Sequence, residues 1–276
     1  MKLNELSGIT DQLPKTDKMP AFFIGHGSPT NAIEDNPFTQ SLTALGKSLS
    51  KYELPKAILV VSAHWLTKGT FVDVSANPKT IHDFGGFQKE LYEIQYPSPG
   101  SPEMAKEAAK LLEVAHESTD WGLDHGTWTL LKYIYPKADI PVFQVSIDYN
   151  KPMSYHLELA KKLAELRSKG VIILGSGNVV HNLRYSIGQM QMGKSAPADW
   201  ALEFDKYVRQ AVCDYDTDAL VNYSKAGSSS QLAVPTPDHY IPLLYTMGVG
   251  DKSENMDIFY EQVEFGGISM QSFQIG

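Results

Sequence analysis

The segment Ala57-Ile58-Leu59-Val60-Val61-Ser62-Ala63-His64-Trp65 joins a continuous apolar run to a histidine. An unbroken aliphatic run is typical of a strand that is covered on both faces in a parallel sheet. Ala21–Ile24 and Val171–Leu174 are two more such runs, and they lead into His26 and His181. Because the carboxyl ends of parallel strands meet at one edge of an open sheet, where ligands bind, we expect these histidines to converge there.

The rest of the chain alternates helical and extended patterns of apolar residues. The predicted elements are helices over Thr39–Tyr52, Pro102–Val114, Met153–Lys169 and Asp199–Val212, a strand over Val142–Ile147, and a C-terminal hairpin of Ile258–Val263 and Ile268–Phe273. Strands that alternate with helices predict an α/β fold, with a mainly parallel central sheet flanked by helices.

The chain is predicted to fold as a single domain. Residues 1–19 combine charged residues with prolines, and we expect them to form a mobile N-terminal extension before a catalytic domain over residues 20–276. The run Ala226-Gly227-Ser228-Ser229-Ser230 resembles a linker, but it is short and precedes a histidine motif. We therefore expect this run to be a mobile active-site loop rather than a domain boundary.

Composition excludes several classes of function. The net charge of −8 and the lack of a basic stripe argue against a nucleic-acid-binding protein. The single cysteine, Cys213, excludes an intrachain disulfide and an all-cysteine zinc site, and low cysteine content fits the cytoplasm. We find neither a secretory signal nor a run of about 18 apolar residues, so we expect a cytoplasmic protein that does not cross a membrane.

A fourth histidine completes a candidate metal site. His239 lies in Pro235-Thr236-Pro237-Asp238-His239-Tyr240, where Thr236 is a candidate N-cap and Pro237 a candidate first helical residue. We expect His239 in the first turn of that helix. Neutral imidazole is a common ligand of Zn, Fe, Cu and Ni, so His26, His64, His181 and His239 together predict a histidine-ligated metalloenzyme.

The other histidines receive separate predictions. His125 lies among tryptophans and glycines and is a candidate acid/base, whereas the adjacent Asp124 is poorly placed to orient its ring. His82 lies in an aromatic, glycine-rich loop that suits a wall for a flat substrate, although a purely structural role is equally compatible. His116 and His156 are expected to be solvated residues on or beside surface helices.

Six motifs, taken in order, resemble those of the class III (LigB-like) extradiol aromatic ring-opening dioxygenases, and in particular the 4,5-DOPA extradiol dioxygenase group. The motifs are Gly25-His26-Gly27-Ser28-Pro29, Ser62-Ala63-His64-Trp65, Ile81-His82-Asp83-Phe84-Gly85-Gly86-Phe87, Asp124-His125-Gly126-Thr127-Trp128, Ser176-Gly177-Asn178-Val179-Val180-His181-Asn182 and Pro237-Asp238-His239-Tyr240. The resemblance extends from Pro20 to the C-terminus.

This resemblance implies a non-haem iron enzyme that opens a catechol ring beside its hydroxyls with O₂. It implies that His26, His64 and His239 are metal ligands, and that His181 is either an acid/base or a fourth ligand in a zinc form. His125 would be a second catalytic or substrate-binding residue. The implied partners are a small catechol and O₂, and the sequence does not indicate an oligomeric state.

The identity of the metal is a separate question from the identity of its ligands. Non-haem iron sites commonly combine two histidines with one carboxylate, but here Asp238 is the only carboxylate evident near the last ligand. We expect one divalent ion per chain, Fe(II) for activity, with Zn(II) as the alternative in purified protein. A zinc-dependent hydrolase of a small ester or amide is the main alternative function, and a non-catalytic metal-binding protein is a second one.

Overall fold

The computed structural model describes residues 18–276. Most of the predicted N-terminal extension lies outside the described residues. Lys18 and Met19 belong to the folded part: Met19 is buried, its N–H donates to the carbonyl of Arg167, and its carbonyl accepts from Arg167 Nε. The fold thus includes Met19, one residue before the expected start at Pro20.

The strands of the described chain are β1 Ala21–Gly25, β2 Ala57–Ser62, β3 Leu66–Thr67, β4 Thr70–Asp73, β5 Lys79–Thr80, β6 Ala115–Ser118, β7 Gly122–Leu123, β8 Val142–Gln144, β9 Ile147–Asp148, β10 Val171–Gly177, β11 Met256–Tyr260, β12 Val263–Glu264, β13 Ile268–Ser269 and β14 Ser272–Ile275. The main sheet is six-stranded, in the order β11-β14-β1-β10-β2-β8. Strands β1, β10, β2 and β8 are parallel, whereas β14 and β11 are antiparallel additions. The predicted mainly parallel sheet and closing hairpin are confirmed.

The α-helices of the described chain are α1 Pro37–Ser48, α2 Lys89–Glu93, α3 Pro102–Leu112, α4 His125–Ile134, α5 Met153–Leu163, α6 Leu183–Gln191, α7 Asp199–Cys213, α8 Thr217–Val221, α9 Ser228–Ala233 and α10 Ile241–Val249. Short 3₁₀ turns cover Pro29–Ala32, Leu49–Lys51, Ala164–Lys169 and Tyr223–Ala226. None of the helices in residues 18–276 has the length and apolar character needed to cross a membrane.

Alternating residues of the central strands face opposite helical layers. In β2, Leu59 and Val61 belong to the core beneath α5 and α10, while Ile58 and Val60 belong to the core beneath α1 and α4. Side chains of a strand alternate between faces, so a strand that is covered on both sides must be apolar throughout. This double coverage explains the uninterrupted apolar run and leaves only the strand ends open to ligands.

Two predicted elements differ from those observed. The predicted strand Val142–Ile147 divides, because the N–H of Val145 still bonds to the carbonyl of Val60 in β2 whereas that of Ser146 bonds to the carbonyl of Phe71. Its second part, β9, therefore pairs with β3. The predicted loop at 226–230 was wrong: Gly227 is followed by α9, in which Ser229 and Ser230 are buried.

The prediction for His156 was also wrong. His156 lies in α5 on the face that packs against α10, it is fully buried, and its Nδ1 lies 3.3 Å from the hydroxyl of Tyr245. Burial lowers its pKa to about 4. The amphipathic pattern indicated a helix, but the width of the buried face depends on a partner helix almost 90 residues away in the sequence. His116 is exposed, as expected, although it lies in β6.

Candidate metal centre and active site

The carboxyl ends of β1, β2 and β10 carry three of the predicted histidines. His26 follows β1 and His64 lies two residues beyond β2, while His181 follows the turn after β10. The backbone fixes this arrangement, because the N–H of His26 donates to the carbonyl of Gly177 and that of Ala63 donates to the carbonyl of Ser176. The predicted convergence on one edge of the sheet is therefore observed.

Two histidines from helix starts complete the cluster. His125 is the first residue of α4. His239 lies in a turn just before α10, not in its first helical turn as predicted, because Pro237 closes a tight turn with Tyr240 and the helix begins at Ile241. The carbonyl of His239 accepts from the N–H of Asn178 after β10, which ties this turn to the same edge.

The imidazole rings are in close mutual contact. Nε2 of His26 lies 3.1 Å from Nε2 of His64. The ring centroid of His64 lies 4.0 Å from that of His125 and 5.1 Å from that of His239. His181 stacks on His239, with centroids 3.5 Å apart and an interplanar angle of 6°. The structure thus brings together His26, His64, His125, His181 and His239.

The tautomer of His26 follows from its hydrogen-bond partner. The hydroxyl of Ser176 donates its one proton to the carbonyl of Gly126, at 2.5 Å. The Nδ1 of His26, 3.0 Å from the same hydroxyl oxygen, must then be the donor in that contact. A neutral imidazole that is protonated at Nδ1 carries a lone pair on Nε2, and this lone pair faces His64.

Asp83 contacts two further histidines of the cluster. Its Oδ1 accepts from both Nδ1 and the backbone N–H of His125, each at 2.9 Å, and its Oδ2 lies 3.3 Å from Nδ1 of His64. Burial raises the pKa of Asp83, but the hydrogen bonds and charge of His125 outweigh it, and the pKa is lowered overall. An ionised carboxylate can only accept hydrogen bonds, so it favours a proton on the Nδ1 atom of each ring and a lone pair on each Nε2 atom.

Asp238 has the same relation to His239. Nδ1 of His239 donates to Oδ2 of Asp238 in a short contact. Burial raises the pKa of Asp238, but the hydrogen bond from His239 outweighs it, and the pKa lies well below the usual value. Asp238 is the carboxylate beside His239, as expected, and Asp83 is a second carboxylate of the cluster, in contact with the rings of His64 and His125.

This donor set fits a divalent metal ion. The Nε2 lone pairs of His26 and His64 face each other across 3.1 Å, and such lone pairs repel unless a cation lies between them. Nitrogens that share one ion at ~2.1 Å stand roughly 3 Å apart. Two groups of ligand atoms, each within 4.8 Å of one another, are His26 with His64 and His125, and His181 with Asp238 and His239.

Three histidines of this cluster, His26, His64 and His181, are held neutral. Burial lowers the pKa of His26 and of His64 well below the usual value, and the neighbouring imidazoles lower it further. Burial, together with His239, lowers the pKa of His181 to about 3. Neutral imidazole is the form that binds metals, so these three rings can bind a cation without first losing a proton.

Asp124 forms part of the support beneath the cluster. It is fully buried and accepts hydrogen bonds from Ser62 Oγ at 2.7 Å and Gln144 Nε2 at 2.8 Å. Burial raises its pKa. Asp124 was expected to be poorly placed to orient the ring of His125, and the Nδ1 of that ring bonds to Asp83 instead. Sequence reasoning missed the role of Asp83, because one of its partners is 42 residues away and no local spacing marks the contact.

Small residues allow the close approach of these segments. A Cβ on Gly126 would lie 2.7 Å from Ser62 Oγ and 3.1 Å from the His64 ring. A Cβ on Gly177 would lie 2.2 Å from the carbonyl oxygen of His239. The glycines of the histidine motifs therefore leave room for the neighbouring histidine segments.

His82 lies behind the cluster rather than in it. Its Nε2 donates to the carbonyl of Ile94 at 2.9 Å, and its ring packs edge-to-face against Phe84 and Trp128. Phe84 in turn meets His125 edge-to-face, with centroids 5.6 Å apart. The aromatic residue of this loop that contacts the cluster is thus Phe84, and His82 supports it.

Comparison with known proteins places this chain in a family. Residues 20–274 match the family described as the catalytic LigB subunit of aromatic ring-opening dioxygenase. The chain is 45% identical to 4,5-DOPA dioxygenase extradiol of Escherichia coli (strain K12), over 97% of this chain and 98% of that protein. It is 34% identical, over the same shares, to 4,5-DOPA dioxygenase extradiol of Beta vulgaris.

A solved structure supports the same assignment. The crystal structure of an uncharacterized protein (JW3007) from Escherichia coli K12 has a TM-score of 0.80 and 42% identity, covering 94% of this chain and 100% of that one. The resemblance inferred from the six motifs is confirmed. The protein therefore belongs to the LigB family of aromatic ring-opening dioxygenases and is an extradiol dioxygenase.

Proposed function

We propose that this protein opens the ring of a DOPA-like catechol beside its two hydroxyls, using O₂ and one Fe(II) ion per chain. The observation that carries the proposal is the inward convergence of imidazole Nε2 lone pairs, with His26 and His64 at 3.1 Å. Relatives named 4,5-DOPA dioxygenase extradiol support the choice of substrate class. A cytoplasmic location remains a prediction that rests on the low cysteine content.

In this proposal His26, His64 and His239 hold the ion through Nε2. Each has a partner at Nδ1, namely Ser176, Asp83 and Asp238 respectively. Such outer partners orient the rings of metal-binding histidines. A bound Fe(II) ion would supply Lewis acidity toward the catechol oxygens and a path for electrons from the catechol to O₂, both atoms of which end in the ring-opened product.

His125 and His181 are assigned to proton transfer. Nδ1 of His125 donates to Asp83, so its Nε2 can accept a proton from a catechol hydroxyl, and the carboxylate would stabilise the imidazolium that results. The lowered pKa of His181, about 3, keeps that ring neutral at pH 7. A neutral His181 can act as a base, and it can act as an acid only after it has taken up a proton. A fourth-ligand role for His181 in a zinc form remains an alternative outcome.

The aromatic loop is assigned to the substrate ring. Phe84 contacts His125, and His82 fixes the loop from behind through its bond to the carbonyl of Ile94. A flat ring packed edge-to-face or offset against Phe84 would gain about 0.5–1.5 kcal/mol beyond its area burial. His26, His125 and His239 are each less than 10% exposed, so a bound catechol would displace little solvent from around them.

Among the described residues, the carboxylates of the site are unsuited to act as the base of a zinc hydrolase. Both oxygens of Asp83 face imidazole donors, and its lowered pKa makes it a weak base. Asp124 is buried beneath Ser62 and Gln144, and Asp238 is bonded to His239. The site therefore favours proton transfer by histidine, as a catechol requires.

The test uses protein that is purified without oxygen, stripped of metal, and reloaded with Fe(II) or Zn(II). L-DOPA and other catechols should give O₂ uptake and a yellow ring-opened product with Fe(II), with one O₂ consumed per ring. A 1,3-dihydroxy isomer of the same size is the matched control, because it cannot present two adjacent oxygens. No O₂ uptake with any catechol, or ester hydrolysis with Zn(II), would contradict the proposal.

A further inference from the structure

One carboxylate, Asp83, lies between two histidines that come from different parts of the chain. Its Oδ1 receives two donors from His125, the backbone N–H and Nδ1, each at 2.9 Å. Its Oδ2 faces Nδ1 of His64 at 3.3 Å. His64 follows β2, His125 begins α4, and Asp83 lies in the loop between β5 and α2. Three segments of the fold are thus joined through one side chain.

We propose that Asp83 is a positioning residue that sets the tautomers of His64 and His125 together, so that both present an Nε2 lone pair to the metal centre. The roles of these lone pairs, metal binding at His64 and proton transfer at His125, rest on the proposed function. The residue itself touches neither metal nor substrate in this account. It acts through the protons on the two Nδ1 atoms.

The need for such a device follows from the contact between His64 and His26. A proton on Nε2 of His64 would form an N–H···N hydrogen bond to His26 at the observed 3.1 Å. In that bond the Nε2 of His64 carries the proton and the Nε2 of His26 accepts it, so neither atom has a lone pair free for a cation. The negative charge of Asp83 opposes the tautomer of His64 with its proton on Nε2. In that tautomer the carboxylate would face a lone pair on Nδ1 of His64 rather than a proton.

The two oxygens are not equivalent, and this inequality predicts the effect of Asp83→Asn. The amide carbonyl should face His125, where it accepts two donors, because the opposite orientation would place NH₂ against both. The NH₂ group then faces Nδ1 of His64 and requires a lone pair there. His64 should therefore move its proton to Nε2 and bond to His26, while His125 keeps its tautomer.

The experiment measures histidine tautomers by side-chain ¹H–¹⁵N correlation NMR in metal-free protein, with no catechol present. Wild type should show Nδ1–H for His64 and His125. Asp83→Asn should show Nε2–H for His64 and Nδ1–H for His125, and Asp83→Ala should release both rings from a fixed tautomer. Asp120→Asn, at an exposed aspartate, is the matched control and should leave both rings as in wild type.

The second readout is Zn(II) affinity, measured by competition with a chromophoric chelator. Loss of an outer partner typically costs 10- to 100-fold in metal affinity, so we expect about that loss for Asp83→Asn and Asp83→Ala, and none for Asp120→Asn. If Asp83→Asn is too unstable to study, Asp83→Ala alone decides. Unchanged tautomers, with affinities within twofold of wild type, would overturn the proposal.

These outcomes are separable from those of the proposed function. A wild-type protein that opens no catechol, but whose His64 tautomer and Zn(II) affinity depend on Asp83, would overturn the catechol assignment and support the positioning role. If the wild-type enzyme opens catechols but its tautomers and Zn(II) affinity do not depend on Asp83, the catechol assignment would be supported and the positioning role overturned.

Discussion

His181 lies parallel to His239, with ring centroids 3.5 Å apart and an interplanar angle of 6°. One ring is bonded at Nδ1 to Asp238, whereas the other is held by its backbone, whose N–H donates to the carbonyl of Ala233. The two rings therefore lie side by side, but different hydrogen bonds hold them in place. This difference separates their expected roles.

His239→Ala and His181→Ala should have different effects on metal content. His239→Ala removes a proposed ligand, so it should abolish metal binding. His181→Ala removes a stacking contact worth about 0.5–1.5 kcal/mol, so metal affinity should fall by about tenfold at most, while kcat should fall by about 10²- to 10⁴-fold. Metal analysis and steady-state kinetics measure the two effects, with exposed His116→Ala as the control. Equal loss of metal in both variants would assign His181 as a fourth ligand.

Metal removal should destabilise the protein. The Nε2 lone pairs of His26 and His64 face each other, so an ion that binds only the folded chain should raise its stability by about 4 kcal/mol at a thousandfold excess over Kd. Thermal unfolding with and without Zn(II) checks this. The increase in Tm should disappear in His26→Ala and persist in His116→Ala. An equal increase in both variants would place the ion elsewhere.

Gly126→Ala should disturb the site, and Gly188→Ala is its matched control. The new Cβ at position 126 would lie 2.7 Å from Ser62 Oγ and 3.1 Å from the His64 ring, so that ring must shift. Position 188 in α6 has open space around a Cβ, so alanine there should be neutral or stabilise by about 0.5–1 kcal/mol. Metal affinity and the free energy of unfolding measure both effects. Normal metal affinity in Gly126→Ala would contradict the tight packing.

Asp205 should make the protein less stable above about pH 6. Burial raises the pKa of this α7 residue to about 6, although the hydrogen bond from Ser269 opposes the shift. A carboxyl with a raised pKa binds its proton more tightly when folded, so stability falls as pH rises from about 4 to 6 and stays lower above that.

Asp205→Asn should remove this pH dependence. We expect the variant to be about 2 kcal/mol more stable than wild type at pH 7.5, and not more stable at pH 4. Denaturant unfolding at several pH values measures this, with Asp120→Asn as the control. A variant that is less stable than wild type at pH 7.5 would show that the charged form is favoured in the folded state.

The sequence predicted the parts of the site that depend on local pattern. Apolar runs before His26 and His64 identified buried parallel strands, and the geometry of such a sheet then placed the histidines together. The burial of His156 was not predictable in this way, because it depends on the packing of α5 against α10. The contact of Asp83 with His125 likewise requires the folded arrangement of separate loops.

The position of Asp83 in the chain has a further consequence, since Phe84 is the next residue. The same loop therefore carries the group that orients the imidazoles and the ring that meets His125 edge-to-face. A ligand that shifts the loop backbone at Phe84 would also shift the neighbouring carboxylate, and substrate occupancy and ion occupancy would then be thermodynamically linked. Linkage is reciprocal: whatever factor a catechol applies to the affinity for the ion, the ion must apply to the affinity for the catechol.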